Sequence, residues 1–211
     1  MQDRFNFANL VPNTDERVVI VGKTGSGKTV FAEKILQFHD YVTVLDTKGQ
    51  IDWKGYKRFT RYSDFLKVDR DKHKKIIYVP TPKEQTDAEF INDFAGTIYY
   101  QQNQTVYFDE VASVCYNGNL PYYIHGLLSR GRELNICTVC STQRPKRIPI
   151  SILSEAERYA VFYIRHKYDV AVVEETLGFS REQIATLDFR KHNFLYGSVD
   201  GNYSESLTLK I

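Results

Sequence analysis

Short apolar runs alternate with amphipathic stretches along nearly the whole chain. Arg17 to Val21 (RVVIV), Tyr41 to Leu45 (YVTVL), Lys75 to Val79 (KIIYV), Thr105 to Phe108 (TVYF), Ile136 to Ser141 and Tyr159 to Ile164 are rich in β-branched and aromatic residues. Runs of this kind suit strands buried on both faces of a parallel sheet. Between them the apolar period lengthens to that of a helix. Phe31, Ile35 and Phe38 mark one from Lys28 to Phe38, and Thr86 with Glu89 reads as a capping box opening another, striped by Ile91, Phe94 and Ile98. A third helix is predicted from Leu120 to Leu134, with Ile124, Leu127 and Leu128 inward. Two helical stretches follow the sixth strand, the second opened by Ser180 and Gln183. Asn193 to Val199 and Ser204 to Leu209 read as a hairpin around Asp200-Gly201. Asp52 to Lys74 shows no clear period and reads as irregular. Strands alternating with helices predict a three-layer α/β fold around a mainly parallel sheet.

Composition narrows the classes. The 211 residues suit one domain, divided into a lead-in over 1–16, a core over 17–187 and a C-terminal hairpin over 188–211. The balance of 28 basic to 26 acidic residues excludes a basic tail, so any nucleic-acid contact must come from local charge. The longest uncharged stretch, Val111 to Ser129, holds Asn117, Gly118, Asn119, Pro121 and His125, which excludes a spanning helix there. Met1-Gln2-Asp3-Arg4 lacks the apolar run of a secretory signal, and Cys115, Cys137 and Cys140 cannot pair completely; both point to a reducing, intracellular compartment. Cys137 and Cys140 are spaced like a metal pair, but on a strand they face opposite sides.

The first strand runs into Gly22-Lys23-Thr24-Gly25-Ser26-Gly27-Lys28-Thr29, which fits G-x-x-x-x-G-K-[ST]. Glycines let backbone N–H groups turn in around phosphate oxygens, and the following helix points its positive end at the anion. Lys28 is placed for the β- and γ-phosphates of ATP and Thr29 for Mg²⁺. A chance match in a chain this long is on the order of one in a hundred. Asp109 and Glu110 end TVYF, where Asp109 could hold Mg²⁺ through water and Glu110 could deprotonate the attacking water. Ser141-Thr142-Gln143 ends the next strand, and Gln143 could sense the γ-phosphate. Arg130 and Arg132 flank Gly131; they either complement a helix dipole or serve as an arginine finger in a neighbouring subunit.

GKTGSGKT, TVYFDE and LLSRGRELNICTVCSTQRPKRIP in this order resemble the FtsK/HerA superfamily of P-loop DNA-pumping ATPases. R-G-R-x-x-N-I followed by S-T-Q-R-P carries most of the likeness. Asp46-Thr47-Lys48-Gly49 resembles the D-P-K-G step of that family, with Thr in place of Pro. The resemblance covers roughly Arg17 to Leu187. It implies a RecA-like (ASCE) sheet of order 5-1-4-3-2, ATP and Mg²⁺ between subunits, and a homo-oligomeric ring, a hexamer or a pentamer. It also supports Glu110 as base, Gln143 as sensor and Arg132, with Arg130 close behind, as the trans-acting arginine. Larger members carry membrane segments, a winged-helix domain or a β-barrel, for which 211 residues leave no room. On that ground the chain is similar to the minimal genome-packaging ATPases of tectivirus-type, internal-membrane double-stranded DNA viruses, acting in host cytoplasm or virion. Partners would be double-stranded DNA and a capsid vertex or membrane protein.

Channel contacts to DNA are expected from Asn117 and Asn119 in one loop and Lys146 and Arg147 in another. Lys54, Lys57, Arg58 and Arg61, interleaved with Trp53, Tyr56, Phe59 and Tyr62, read as a solvated face with buried rings rather than a nucleic-acid patch. Four other readings compete, the first a non-viral FtsK/HerA-type DNA transfer or processing ATPase. A GTPase switch would use Asp46-x-x-Gly49 but needs a later N-K-x-D that is lacking. A small-molecule kinase would usually lack Asp109-Glu110 and the RGR…STQRP segment. A ring that uses ATP only as glue would not need Glu110.

Overall fold

Parallel strands with both faces covered are the frame on which the chain is built. In the computed structural model residues 7–116, 118–199 and 206–209 are described. The elements run β1 (Arg17–Val21), α1 (Lys28–Leu36), β2 (Val42–Asp46), β3 (Lys57–Phe59), α2 (Tyr62–Leu66), β4 (Lys75–Tyr78), α3 (Pro82–Thr86), α4 (Ala88–Gln101), β5 (Gln104–Asp109), α5 (Tyr122–Arg130), β6 (Ile136–Thr142), α6 (Ile150–Ser154), β7 (Arg158–Phe162), α7 (Lys167–Leu177), α8 (Arg181–Ala185), β8 (Asn193–Ser198) and β9 (Leu207–Thr208).

They form one sheet of order β3-β4-β2-β5-β6-β1-β7-β8-β9. Its central run β7-β1-β6-β5-β2 is the expected 5-1-4-3-2 order, and these strands pair in parallel. The strands β4 and β3 extend one side in parallel, and β8 with β9 closes the other antiparallel. The pairing Asn193↔Thr208 and Phe194↔Leu207 supports the predicted hairpin strands, while Asp200-Gly201 lies outside the described residues.

Each central strand is buried along almost its full length, so its two side-chain faces feed two cores. One holds Phe94, Ile98, Leu127, Ile152 and Val173 from the helices on one face. The other holds Phe31, Ala32 and Ile35 of α1 with Phe162 and Phe194. Cys137 belongs to the second and Cys140 to the first, as strand alternation requires. Burial pushes both thiols well up, so neither is poised as a thiolate.

Three local expectations need correction. The helix predicted to open at Thr86 is two helices. Thr81 and Glu84 form the capping box of α3, and the Asp87 carboxylate accepts from the Glu89 and Phe90 N–H groups to start α4. A cap of this kind contributes about 1 kcal/mol. Phe38 lies past the end of α1 and is 53% exposed, so it does not continue the stripe. Asp52 to Lys74 is not wholly irregular: it contains β3 and α2, elements too short to show a period. Trp53 in this segment stacks on Tyr107, and Arg58 donates to the Gly49 and Ile51 carbonyls. These contacts favour the reading of buried rings beneath a solvated face.

Candidate functional site

The carboxyl ends of β1, β2, β5 and β6 share one rim, because Val21 pairs with Thr142 and Asp46 with Asp109. Gly22 to Gly27 leave that rim and lead straight into α1. Gly25 (φ 79°) and Gly27 (φ 110°) adopt backbone that a Cβ would strain. At Gly22 a Cβ would lie 2.6 Å from the Phe162 Cβ, so the loop is pressed onto β7. No side chain caps α1, which leaves its first N–H groups free for an anion. The Ser26 hydroxyl is buried without a hydrogen-bond partner. Lys23, Thr24 and Gly25 form the exposed tip.

Lys28 is 6% exposed, and its Nζ donates to the carbonyls of Gly22 at 2.7 Å and Lys23 at 3.3 Å. Burial pulls its pKa down to about 8, partly opposed by Glu110 and reinforced by the positive charge of Lys48. A buried ammonium held only by carbonyls, beside an orphaned hydroxyl and uncapped N–H groups, suits a polyphosphate.

Asp109 ends β5 on the same rim and Glu110 follows it directly. The Asp109 Oδ1 accepts from the Tyr107 hydroxyl at 3.0 Å and the Ser141 hydroxyl at 3.4 Å. The Tyr107 hydroxyl is fully buried beside this carboxylate, which holds its pKa far above the ordinary range and keeps it a donor. Glu110 takes a left-handed backbone (φ 65°), uncommon for a residue with a Cβ and a form of strain that clusters at functional sites. Its Oε1 accepts from the Thr142 hydroxyl at 3.0 Å and the Gln143 N–H at 3.2 Å, while its Oε2 is buried without a hydrogen-bond partner. One oxygen of each acid therefore accepts hydrogen bonds and the other faces only the Lys48 ammonium. Hard carboxylate oxygens that accept no hydrogen bond, near a Thr29 hydroxyl that reaches Tyr107, fit Mg²⁺ and its water shell.

Gln143 is brought to the phosphate loop directly: the Thr24 hydroxyl donates to its Oε1 at 2.5 Å. An open cleft of about 550 Å³ beside it is lined by Glu110, Ala112, Ser113, Gln143, Arg144 and Arg147. Arg147, expected only at DNA, thus also borders the cleft beside Glu110. Arg144 is anchored by the buried Asp169 carboxylate at 2.7 Å, which also accepts the Lys146 N–H. The Lys146 ammonium lies 4.2 Å from the Tyr168 ring centroid. Asn119 bridges to Tyr116 and shares a groove with Tyr122, Pro149 and Ser151. Asn117 lies outside the described residues.

Arg130 and Arg132 are not brought to this site. Arg130 ends α5 and Arg132 follows it, at the opposite rim, where β6 begins. Arg130 pairs with Glu133, and Arg132 is 65% exposed with Asp15 and Glu157 each 3.6 Å away. Sequence reasoning named Lys48 only within the Asp46–Gly49 step and gave it no role; its Nζ is 3.6 Å from both the Asp109 Oδ2 and the Glu110 Oε2. The signal was the strand order itself, since 3-2 adjacency sets the turn after β2 beside Asp109-Glu110. Among the described residues no helix is long and apolar enough to cross a membrane.

No protein-family model matches the chain. It is 28% identical over 168 residues to the DNA packaging ATPase P9 of Enterobacteria phage PRD1, covering 78% of this chain and 71% of that one. The fold is similar to that of the genome packaging NTPase B204 of Sulfolobus turreted icosahedral virus 2, solved with AMPPCP, at a TM-score of 0.75 and 17% identity over 94% of this chain and 100% of that one. It is also similar to VirB4 of Thermoanaerobacter pseudethanolicus, at a TM-score of 0.67 and 11% identity over 92% and 89% of the two chains. The chain has the RecA-like P-loop fold.

Proposed function

We infer that the chain is a genome-packaging ATPase of the FtsK/HerA superfamily, a motor that hydrolyses ATP to move double-stranded DNA into a viral capsid. The observation that carries the reading is the single rim holding Lys28, the uncapped α1 and the half-engaged Asp109-Glu110 pair, in a chain similar to a packaging ATPase.

In this reading the backbone N–H groups from Lys23 to Lys28 hold the phosphates of ATP, and Lys28 gives up its carbonyl contacts for the β- and γ-phosphate oxygens. Thr29 and, through water, Asp109 would hold Mg²⁺, which supplies charge neutralisation at the phosphates. Glu110 holds the attacking water with Oε2, which accepts no hydrogen bond from the protein, and takes the water proton as the oxygen attacks the γ-phosphorus and the bond to the ADP oxygen breaks. The Thr142 hydroxyl and Gln143 N–H fix the other oxygen, which aims the base. Gln143, touching both loop tip and cleft, reports whether the γ-phosphate is present.

Arg132, and Arg130 beside it, would complete a neighbour's site in a ring of five or six copies. DNA would run along the loops of Asn117, Asn119, Lys146 and Arg147, and a capsid vertex or membrane protein would dock the ring. The work would take place in host cytoplasm or virion. The test is ATPase activity of the purified chain with and without double-stranded DNA. Stimulation is expected in the wild type and loss of turnover, on the order of 10²- to 10⁴-fold, in Glu110→Gln with nucleotide binding retained. Unchanged turnover in that variant removes Glu110 as base, and indifference to DNA refutes the motor.

A further inference from the structure

Lys48 sits in a turn built to aim it. The Asp46 carboxylate is fully buried; its Oδ1 accepts the Lys48 N–H at 3.2 Å and its Oδ2 the Ile51 N–H at 2.7 Å. Gly49 takes the left-handed conformation that reverses the chain, at φ 66°. The Thr47 hydroxyl donates to the Asp109 carbonyl at 2.8 Å, which ties the turn to the end of β5. Arg58 braces the far side through the Gly49 and Ile51 carbonyls. The lysine stem leaves this frame only a third exposed, and the ammonium reaches the two acids, whose side chains are 6% and 14% exposed.

The two oxygens it faces are the ones that nothing else engages. Asp109 Oδ1 and Glu110 Oε1 have their hydroxyl and N–H donors, whereas Asp109 Oδ2 and Glu110 Oε2 share the Lys48 charge at 3.6 Å. That separation is an ionic contact and not a hydrogen bond, so it fixes charge without locking the base. Two carboxylates this close to a polyphosphate repel it. One built-in cation between them offsets that repulsion before any metal arrives.

We propose that Lys48 is a positioning residue of the hydrolytic site, an internal cation that holds Asp109 and Glu110 together and balances their charge so that nucleotide can enter without Mg²⁺. The proposal rests on the phosphate-site reading above. Because Mg²⁺ supplies the same balance when bound, loss of Lys48 matters most in its absence. The pair of conditions isolates this role from any general damage to the fold.

The test is the Kd of a fluorescent non-hydrolysable ATP analogue, measured in EDTA and in Mg²⁺. The quantity read is the ratio of the two. In Lys48→Met and in Lys48→Gln, either of which serves if the other folds poorly, the ratio should rise about tenfold over wild type. Lys48→Arg should keep the wild-type ratio, and the double variant Lys48→Met/Glu110→Gln, with one carboxylate neutralised, should bring it back down. An unchanged ratio in Lys48→Met, or a raised one in Lys48→Arg, overturns the proposal. Equal binding by wild type and Lys28→Ala would instead overturn the phosphate site, which keeps the two failures apart.

Discussion

Nucleotide binding should take up a proton above neutral pH, and Lys28 is the group that takes it. In the empty site its pKa falls from 10.5 to about 8, chiefly because burial disfavours the charged form. That is a differential on the order of 3 kcal/mol between the charged and neutral forms. The sign follows from which form each state prefers. Below pH 8 both the folded and unfolded chains carry the proton, so the burial penalty on folded stability is present in full. Between pH 8 and 10.5 the unfolded chain binds more protons, so stability of the empty protein rises across that window. A bound polyphosphate reverses the balance, because its charge restores the ammonium. At pH 8.5 about three quarters of empty sites hold neutral Lys28, and binding should take up roughly 0.75 proton per nucleotide; at pH 7 the figure falls to about 0.1. Calorimetric titration with ADP in two buffers of different ionisation enthalpy reads this number directly. ADP is already free of its own phosphate proton at pH 8.5. Affinity should then weaken, approaching about tenfold per pH unit well above 8. No uptake at pH 8.5 in a protein that binds ADP would refute the assignment of a buried, perturbed Lys28.

Three further outcomes are expected. Gly22→Ala must place a Cβ 2.6 Å from the Phe162 Cβ and 2.8 Å from the Ser26 hydroxyl, so it should cost about 1–3 kcal/mol, lower Tm by several degrees and weaken nucleotide binding; a wild-type melting curve would contradict it. Arg132→Ala should lose on the order of 10³-fold in kcat with nucleotide Kd unchanged, and mixing it with Lys28→Ala protomers should restore activity, whereas absence of rescue argues against action in trans. Arg147→Ala should weaken DNA binding alike across sequences and flatten the salt slope by about one; a base-specific effect would point to a different contact.

What could be read from the sequence was what local chemistry encodes. The apolar runs carried the central strands because both faces of each are buried, and G-x-x-x-x-G-K-T carried the phosphate loop because its backbone geometry demands glycine at Gly25 and Gly27. The capping box at Ser180 and Gln183 was legible for the same reason, being complete within four residues. The box assigned to Thr86 and Glu89 failed because Thr81-Pro82-Lys83-Glu84 offered a better one five residues earlier and Asp87 capped what followed. Lys48 stood in a recognisable Asp46–Gly49 step, but its role could not be read because its partners are some sixty residues away and meet it only through the pairing of β2 with β5. Arg147 was assigned a DNA role from charge alone; its place on the cleft with Glu110 depends on the turn that Asp169 anchors from α7.

The same register that gathers one site also keeps Arg130 and Arg132 out of it. Parallel strands put every carboxyl end on one rim, so Lys28, Lys48, Glu110 and Gln143 converge although they are scattered along the chain. Arg130 and Arg132 precede β6 and therefore stand at the opposite rim. The seven residues of β6 separate the two rims by roughly 20 Å, at about 3.3 Å per residue. An arginine side chain cannot cover that span within one protomer. Arg132 is exposed and held by two acids at 3.6 Å, contacts loose enough to exchange for a phosphate. The cleft beside Glu110 is correspondingly open, with room for a side chain from outside. If Arg132 stabilises the transferring phosphate at all, it does so in a neighbouring copy, and assembly becomes a chemical requirement of hydrolysis and not merely a way to encircle DNA.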